Sequence, residues 1–286
     1  MLKTLRKYAS FVKFPHTVFA MPFALAGYFY GVQTAGFDGW LLLKVLLCMV
    51  FARNAAMGFN RWADRDIDAV NPRTAGREIP KGLIAPKNAL RFVVVNSILF
   101  MAAAAWINQL CLFLSPVALA VVLGYSLTKR FSWLCHLFLG LSLAIAPAGA
   151  YIAVTGTLTF VPVMLSLLVL TWSAGFDIIY SLQDLDFDRE HNLNSMPARL
   201  GASGSLAVSA GLHLLTAGLA VRLVFAFGNT VPTLIGTSVF IALLAYQHLI
   251  VSPRKLNRIN MAFSTLNGIA SIAYTICIIA GFYTGL

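Results

Sequence analysis

The chain has 286 residues; 59% are hydrophobic, only 11% are charged, and the mean hydropathy is +0.80. A soluble domain is about 25% charged, so this composition excludes a soluble enzyme. It also excludes a nucleic-acid-binding module, because no basic soluble domain exists to carry the net charge of +11.

A membrane-crossing helix needs roughly 20 mainly apolar residues. Nine such runs follow one another, at about 14–34, 39–60, 88–108, 109–127, 131–154, 158–181, 203–228, 230–251 and 259–284. The runs are continuously apolar rather than alternating, which predicts helices and not a barrel. Lys3, Arg6, Lys7 and Lys13 precede the first run, and Ala24-Leu25-Ala26-Gly27 within it mimics a signal-peptide cleavage region. Eight further runs argue for a retained first helix. Basic residues then fall in alternate connections: Arg61 to Lys87 after the second run, Lys129 and Arg130 after the fourth, Arg189 and Arg199 after the sixth, Arg254, Lys255 and Arg258 after the eighth. The positive-inside rule therefore predicts an inner-membrane protein whose amino terminus and acidic loops face the cytoplasm and whose carboxyl terminus faces outward. Cys48, Cys111, Cys135 and Cys277 lie inside apolar runs with no paired spacing. Four buried thiols are expected, without a disulfide framework or zinc site. His16, His136, His191, His213 and His248 form no ligand motif, and ordinary packing is expected for most of them.

Nine of the ten carboxylates sit in two places. Asn60-Arg61-Trp62-Ala63-Asp64-Arg65-Asp66-Ile67-Asp68 ends the second run, with Glu78 behind it. Asp177 lies in the sixth run and Gln183-Asp184-Leu185-Asp186-Phe187-Asp188-Arg189-Glu190 ends it. Ionised groups at or near membrane depth are costly and mark working sites. Arg53, Asn60, Asp64 and Asp68 are spaced by seven, four and four, which puts them on one helical stripe. Asp177, Asp184 and Asp188 repeat the seven and four, while Asp66 and Asp186 point elsewhere. Stacked carboxylates repel unless a cation lies between them, and Mg²⁺ suits one or two carboxylates, waters and substrate phosphates. A pair of solvated, salt-bridged loops is the competing reading. It does not explain why the stripes continue into apolar segments at Arg53 and Asp177.

Tyr125 and Lys129 are one turn apart, and Lys129 and Arg130 suit phosphate. Arg73 and Arg77 follow Asn71-Pro72, which should end the first acidic helix, and are placed to cap a diphosphate. Arg130, Lys81 and Lys87 serve equally well as topology anchors. Asp64 and Asp184 are 120 positions apart, and Tyr125 and Tyr246 are 121 apart. This predicts a single domain, 1–286, that is all-α: an integral membrane bundle of nine transmembrane helices. Two parallel four-helix pseudo-repeats, about 14–130 and 131–258, would surround a central cavity, with 259–284 extra. Chance spacing among similar helices is the alternative.

These motifs resemble those of the UbiA superfamily of intramembrane prenyltransferases. Asn60-xxx-Asp64-xxx-Asp68 is similar to its first aspartate motif, Tyr180-xxx-Asp184-xxx-Asp188 to its second, and Tyr125-xxx-Lys129-Arg130 to the short motif between them. The stretch from Arg73-Thr74-Ala75 through Arg77-Glu78-Ile79-Pro80-Lys81-Gly82 is also close. The subgroup acting on 4-hydroxybenzoate or naphthoate-type acids fits best, and Phe14-Pro15-His16-Thr17-Val18 through Ala24 resembles a bacterial branch linked to menaquinone. The resemblance implies a polyprenyl diphosphate donor, an aromatic acid acceptor, a membrane-lipid environment and Mg²⁺. Asn60, Asp64, Asp68, Asp184 and Asp188 would bind the diphosphate through the metal, with Arg73, Arg77 and Lys129 stabilising it as it leaves. Tyr125 and Asp177 would steady the allylic cation or take up the ring proton, two roles the sequence does not separate. Arg53 would hold the acceptor carboxylate, or else pair structurally with an acidic side chain. The small residues Gly140, Ala144, Ala146, Pro147, Ala148, Gly149 and Ala150 fit a lateral portal or close helix packing equally. The competing functions are a transporter with acidic cation sites, and the same family with haem, a chlorophyll precursor or homogentisate as acceptor.

Overall fold

The computed structural model describes residues 2–12, 20–253 and 256–284. His16, Lys13, Arg254, Lys255 and the start of the first expected span lie outside them. Every regular element described is helical: α1 (Leu2–Phe11), α2 (Met21–Ala35), α3 (Gly39–Ala63), α4 (Arg65–Val70), α5 (Pro86–Ile107), α6 (Gln109–Thr128), α7 (Cys135–Thr155), α8 (Phe160–Ser181), α9 (Leu185–Glu190), α10 (Met196–Ala226), α11 (Val231–Ile250) and α12 (Asn267–Thr284). A π-helical turn, Met261–Leu266, leads into α12. Eight helical stretches are long and apolar enough to cross a membrane. The one expected span not among these eight, the first, is represented by α2, 15 residues within the described part. The chain is a multi-pass helical membrane protein.

The seventh expected span starts at 203 for a structural reason. Gly201 has φ 71° and ψ 176°, breaking α10 just before the apolar run. This left-handed backbone is one that glycine alone adopts without strain. All four cysteines are free thiols, half-buried rather than buried as expected. In an apolar bundle, outward-facing positions suit a thiol as well as the core does.

The helices group into two compact units. The first unit joins α1 with α3 to α6. Its clearest core gathers Phe11, Val12, Ile79, Ile84 and Ala89, with Tyr8 stacked on Phe92 at 5.1 Å. The amphipathic α1 thus rests on α5 and on the segment that follows the first aspartates. Asn54 and Asn96 pair at 3.1 Å between α3 and α5, satisfying two amides inside apolar helices.

The second unit joins α2 with α7 to α12. Trp172 is fully buried at its centre, against Phe23, Phe176 and Phe240. Its indole N–H donates to Asn267 Oδ1 at 3.0 Å, and Gln247 donates to the same oxygen at 2.8 Å. The Asn267 amide in turn donates to the Ala262 and Phe263 carbonyls, so one side chain closes the π-helical turn onto α8 and α11. Gly140 and Pro147 of α7 are used for close packing, whereas a Cβ on Gly149 would meet nothing within 4 Å. A Cβ on Gly140 would meet the Leu170 carbonyl oxygen at 2.5 Å, and one on Gly27 of α2 would meet that of Pro147 at 2.2 Å.

Candidate active site

The first acidic segment lies in the first unit. Helix α3 ends at Ala63, and Asp64 takes φ −92° and ψ 5° as it caps α4. The turn-to-turn bonds survive this break. Asp64 N donates to Asn60 O at 3.0 Å, and Asp68 N donates to Asp64 O at 2.7 Å. The Asn60 amide therefore reaches Asp64 Oδ2 at 3.3 Å. Asp64 and Asp68 are 2% and 3% exposed, whereas the Asp66 side chain is 83% exposed. As the spacing predicts, two carboxylates turn inward and one turns out.

Arg77 Nη1 lies 2.7 Å from both oxygens of Asp68. A buried carboxylate needs such a partner, since an uncompensated one costs several kcal/mol. Asn71 ends α4, as Asn71-Pro72 requires, and its side chain accepts from Arg73 N at 2.9 Å. That turn starts the segment carrying Arg77 back to α4. Glu78 faces elsewhere: it accepts from the Ser10 hydroxyl at 2.6 Å and lies 3.7 Å from buried Arg61. Arg61 and Glu78 are thus structural anchors, which their spacing did not reveal. Arg73 is exposed. Half-buried Arg53, deeper in α3, is within electrostatic reach of Tyr125 at the end of α6.

The second acidic segment lies in the second unit and repeats the local backbone. Helix α8 passes through a single 3₁₀ turn, Leu182–Asp184, and Asp184 takes φ −104° and ψ 8° as it caps α9. Asp184 and Asp188 are half-buried, and Asp186 is exposed. Asp188 receives a side-chain hydrogen bond from Ser195, with Asp184, Lys129 and His136 in electrostatic range. The 191–195 connection holds Lys129 there. Leu193 N donates to Asp188 O at 2.8 Å, and Asn194 N donates to Lys129 O at 2.8 Å. The structure therefore brings Lys129 to the second aspartates, while Arg130 stays exposed. Tyr180, one turn before Asp184, stacks on Phe263 with centroids 4.0 Å apart.

Asp177 sits within α8, and its Oδ2 lies 2.6 Å from His136 Nδ1. His136 is therefore more than packing. Its partner is 41 residues away in the chain, so no local pattern links them. The one available signal was a carboxylate inside an apolar run, which demands a partner from another helix.

Among the described residues, no group of three or more His, Cys, Asp or Glu side chains is close enough to hold a metal ion. Each acidic segment does offer two carboxylates, and the first adds the Asn60 amide. An all-oxygen set of this size fits a hard cation that keeps water and takes substrate phosphates as its other ligands.

A family model for the UbiA prenyltransferase family matches residues 20–273. A 4-hydroxybenzoate octaprenyltransferase of Aeromonas hydrophila is 30% identical over 221 residues, spanning 77% of this chain and 75% of its own. One of Albidiferax ferrireducens is 32% identical over 171 residues, spanning 59% and 58%. The apo structure of a UbiA homolog from Aeropyrum pernix K1 superposes with a TM-score of 0.81 at 32% identity, covering 94% of this chain and 97% of that one. A UbiA homolog from Archaeoglobus fulgidus bound to DMAPP and Mg²⁺ shares the fold, with a TM-score of 0.75 at 22% identity over 97% and 99% of the two chains. The chain accordingly belongs to the UbiA prenyltransferase family and is a membrane-embedded prenyl transferase.

Proposed function

We propose that this enzyme transfers a polyprenyl group from a polyprenyl diphosphate to the ring of an aromatic acid, of the 4-hydroxybenzoate or dihydroxynaphthoate type, with release of diphosphate. The step would serve ubiquinone or menaquinone biosynthesis. The observation that carries this reading is the shared conformation of the two acidic segments. Each breaks its long helix at the first aspartate and carries the second on a six-residue helix. A cation accompanies each: Arg77 at Asp68, Lys129 at Asp188. The same likeness supports the two pseudo-repeats.

In this reading Asn60, Asp64, Asp68, Asp184 and Asp188 hold Mg²⁺, which neutralises diphosphate charge when bound. Arg73, Arg77 and Lys129 contact the diphosphate oxygens and stabilise the charge that grows on them as the allylic C–O bond breaks. Arg77 is the residue that must change partner, leaving Asp68 as substrate arrives. Arg53 binds the acceptor carboxylate from a half-buried position, where a guanidinium forks onto a carboxylate strongly. Tyr125, beside Arg53, steadies the cation or the acceptor. Apolar helices let the prenyl tail stay in lipid, where each buried CH₂ is worth about 0.8 kcal/mol. The acidic segments face the cytoplasm.

The test is a mass-spectrometric screen of purified protein with geranyl diphosphate, Mg²⁺ and a panel of aromatic acids. A prenylated acid, abolished in Asp64→Ala and Asp184→Ala that remain folded, is the expected result. Full activity in both variants would remove the assignment. Net flux of a cation into proteoliposomes without any prenylated product would favour a transporter.

A further inference from the structure

Prenylating a ring at a carbon that bears hydrogen requires that hydrogen to leave as a proton. We infer that Asp177 accepts it, and that His136 positions the Asp177 carboxylate for the purpose; this rests on the prenyl-transfer reading. Asp177 lies seven residues before Asp184, inside the apolar part of α8. His136 is the second residue of α7, with its side chain 4% exposed, against 23% for Asp177. The open end of the pair is therefore the carboxylate.

Two contacts fix how the pair is wired. The backbone N–H of Met196 points at His136 Nε2 at 3.4 Å. An N–H can only donate, so Nε2 must present its lone pair. The imidazole proton then sits on Nδ1 and is donated to Asp177 Oδ2 at 2.6 Å. With Nε2 occupied, the imidazole is not the group that takes the proton. It serves as a donor that holds one carboxylate oxygen and leaves Oδ1 for the ring hydrogen. Asp177 has no other side-chain hydrogen bond among the described residues, so its orientation rests on His136 alone. Met196 is held by the helix start that Ser195 caps, its hydroxyl accepting from Ala198 N at 3.3 Å. Tyr125 is the other candidate. A phenol, with an ordinary pKa of about 10, must first lose its own proton before it can accept one.

The electron count closes. A ring π pair forms the new C–C bond to prenyl C1, leaving a cationic ring with a tetrahedral carbon. Asp177 Oδ1 takes that carbon's proton, and the C–H pair restores the aromatic ring. Asp177 ends as the neutral acid and returns its proton to water or to departing diphosphate. His136 keeps its proton throughout.

The experiment uses the full-length protein in detergent with geranyl diphosphate, Mg²⁺ and an acceptor, 4-hydroxybenzoate or the panel acid that the wild type turns over, in normal and ring-deuterated forms. In wild type the isotope effect on kcat is expected near one. His136→Ala should lower kcat about tenfold to a hundredfold, in the range of a positioned proton acceptor. It should also raise the isotope effect to about two or more and leave KM for geranyl diphosphate within about twofold, because removing the proton becomes slow while binding does not change. His136→Asn, whose amide can donate from the Nδ1 position, should restore most of the rate and return the isotope effect toward one. Asp177→Asn should still ionise geranyl diphosphate, so prenyl alcohol accumulates in place of prenylated acid. If His136→Ala does not fold, the Asn variants decide alone. Wild-type rates of ring prenylation in Asp177→Asn, or an isotope effect near one in a slow His136 variant, would overturn the pair's role while the prenyl-transfer reading stands. A wild type that prenylates nothing in the panel would overturn both.

Discussion

Replacing Arg77 with methionine should make the free enzyme bind Mg²⁺ more tightly. One guanidinium nitrogen sits 2.7 Å from both oxygens of Asp68, whose side chain is only 5% exposed. A cation that coordinates Asp68 competes with Arg77 for its oxygens. A hydrogen bond to a charged group contributes about 1.5–3 kcal/mol, and Arg77 is 24% exposed, which places this one near the lower end. At 1.4 kcal/mol per factor of ten, removing the competitor should tighten Mg²⁺ binding roughly tenfold when no diphosphate is present. Without metal, the variant should be less stable by about 2 kcal/mol, because Asp68 is left buried without its charge partner. Mg²⁺ should then raise the Tm of the variant more than that of wild type, since a ligand stabilises in proportion to its occupancy of the folded state. Calorimetric titration in detergent, with thermal unfolding across a Mg²⁺ series, measures both quantities. Equal or weaker Mg²⁺ binding in Arg77→Met, with unchanged Tm, would show that the pair does not gate the metal.

Asp66→Asn and Asp186→Asn should keep wild-type turnover, because both side chains point outward, whereas Asp68→Asn should lose at least about a hundredfold in kcat/KM with its fold retained. Steady-state kinetics on the purified variants checks this. Gly27→Val should be destabilised by about 1–3 kcal/mol or fail to assemble, since the new Cβ would lie 2.2 Å from a backbone oxygen of α7 that cannot move aside cheaply; thermal unfolding in detergent reports it. Trp172→Phe should lower stability by about 1–3 kcal/mol, because the ring is kept but a buried hydrogen bond to Asn267 is lost. An unchanged unfolding midpoint for Trp172→Phe would mean that Gln247 alone secures the π-helical turn.

Hydropathy made the membrane helices legible, because lipid forces each span to satisfy its own backbone and to stay apolar along its length. Helical periodicity made the inward and outward aspartates legible too: Asn60 reaches Asp64, and Asp66 and Asp186 face out. The break at Asp64 and at Asp184 was hidden, since neither Gly nor Pro marks it and the turn-to-turn bonds continue across it at Asp64. Partnerships between distant segments were hidden for a different reason. Arg77 looked like a diphosphate ligand and is found on Asp68, nine residues back, while His136 looked like packing and is found on Asp177. Which helix faces which is decided by close approaches such as Gly140 against Leu170, and these depend on the whole unit rather than on any local pattern.

The nature of each partner separates carboxylates that look alike in the sequence. Asp68 and Asp188 are accompanied by cations, Arg77 and Lys129. A cation beside a carboxylate offsets its negative charge. In the proposed reaction each cation would leave its carboxylate for a phosphate oxygen when substrate brings in a metal. Asp177 is accompanied by an imidazole whose second nitrogen is held by the Met196 backbone. The ring donor orients one carboxylate oxygen, and the other is left to take a proton from a cationic ring. Substituting His136 by arginine would turn the second kind of site into the first. The variant should still release diphosphate from geranyl diphosphate at near wild-type rate, yet transfer the prenyl group to the ring more slowly than His136→Asn does. The opposite order would mean that Asp177 acts through its charge on the prenyl cation and not as an acceptor of the ring proton.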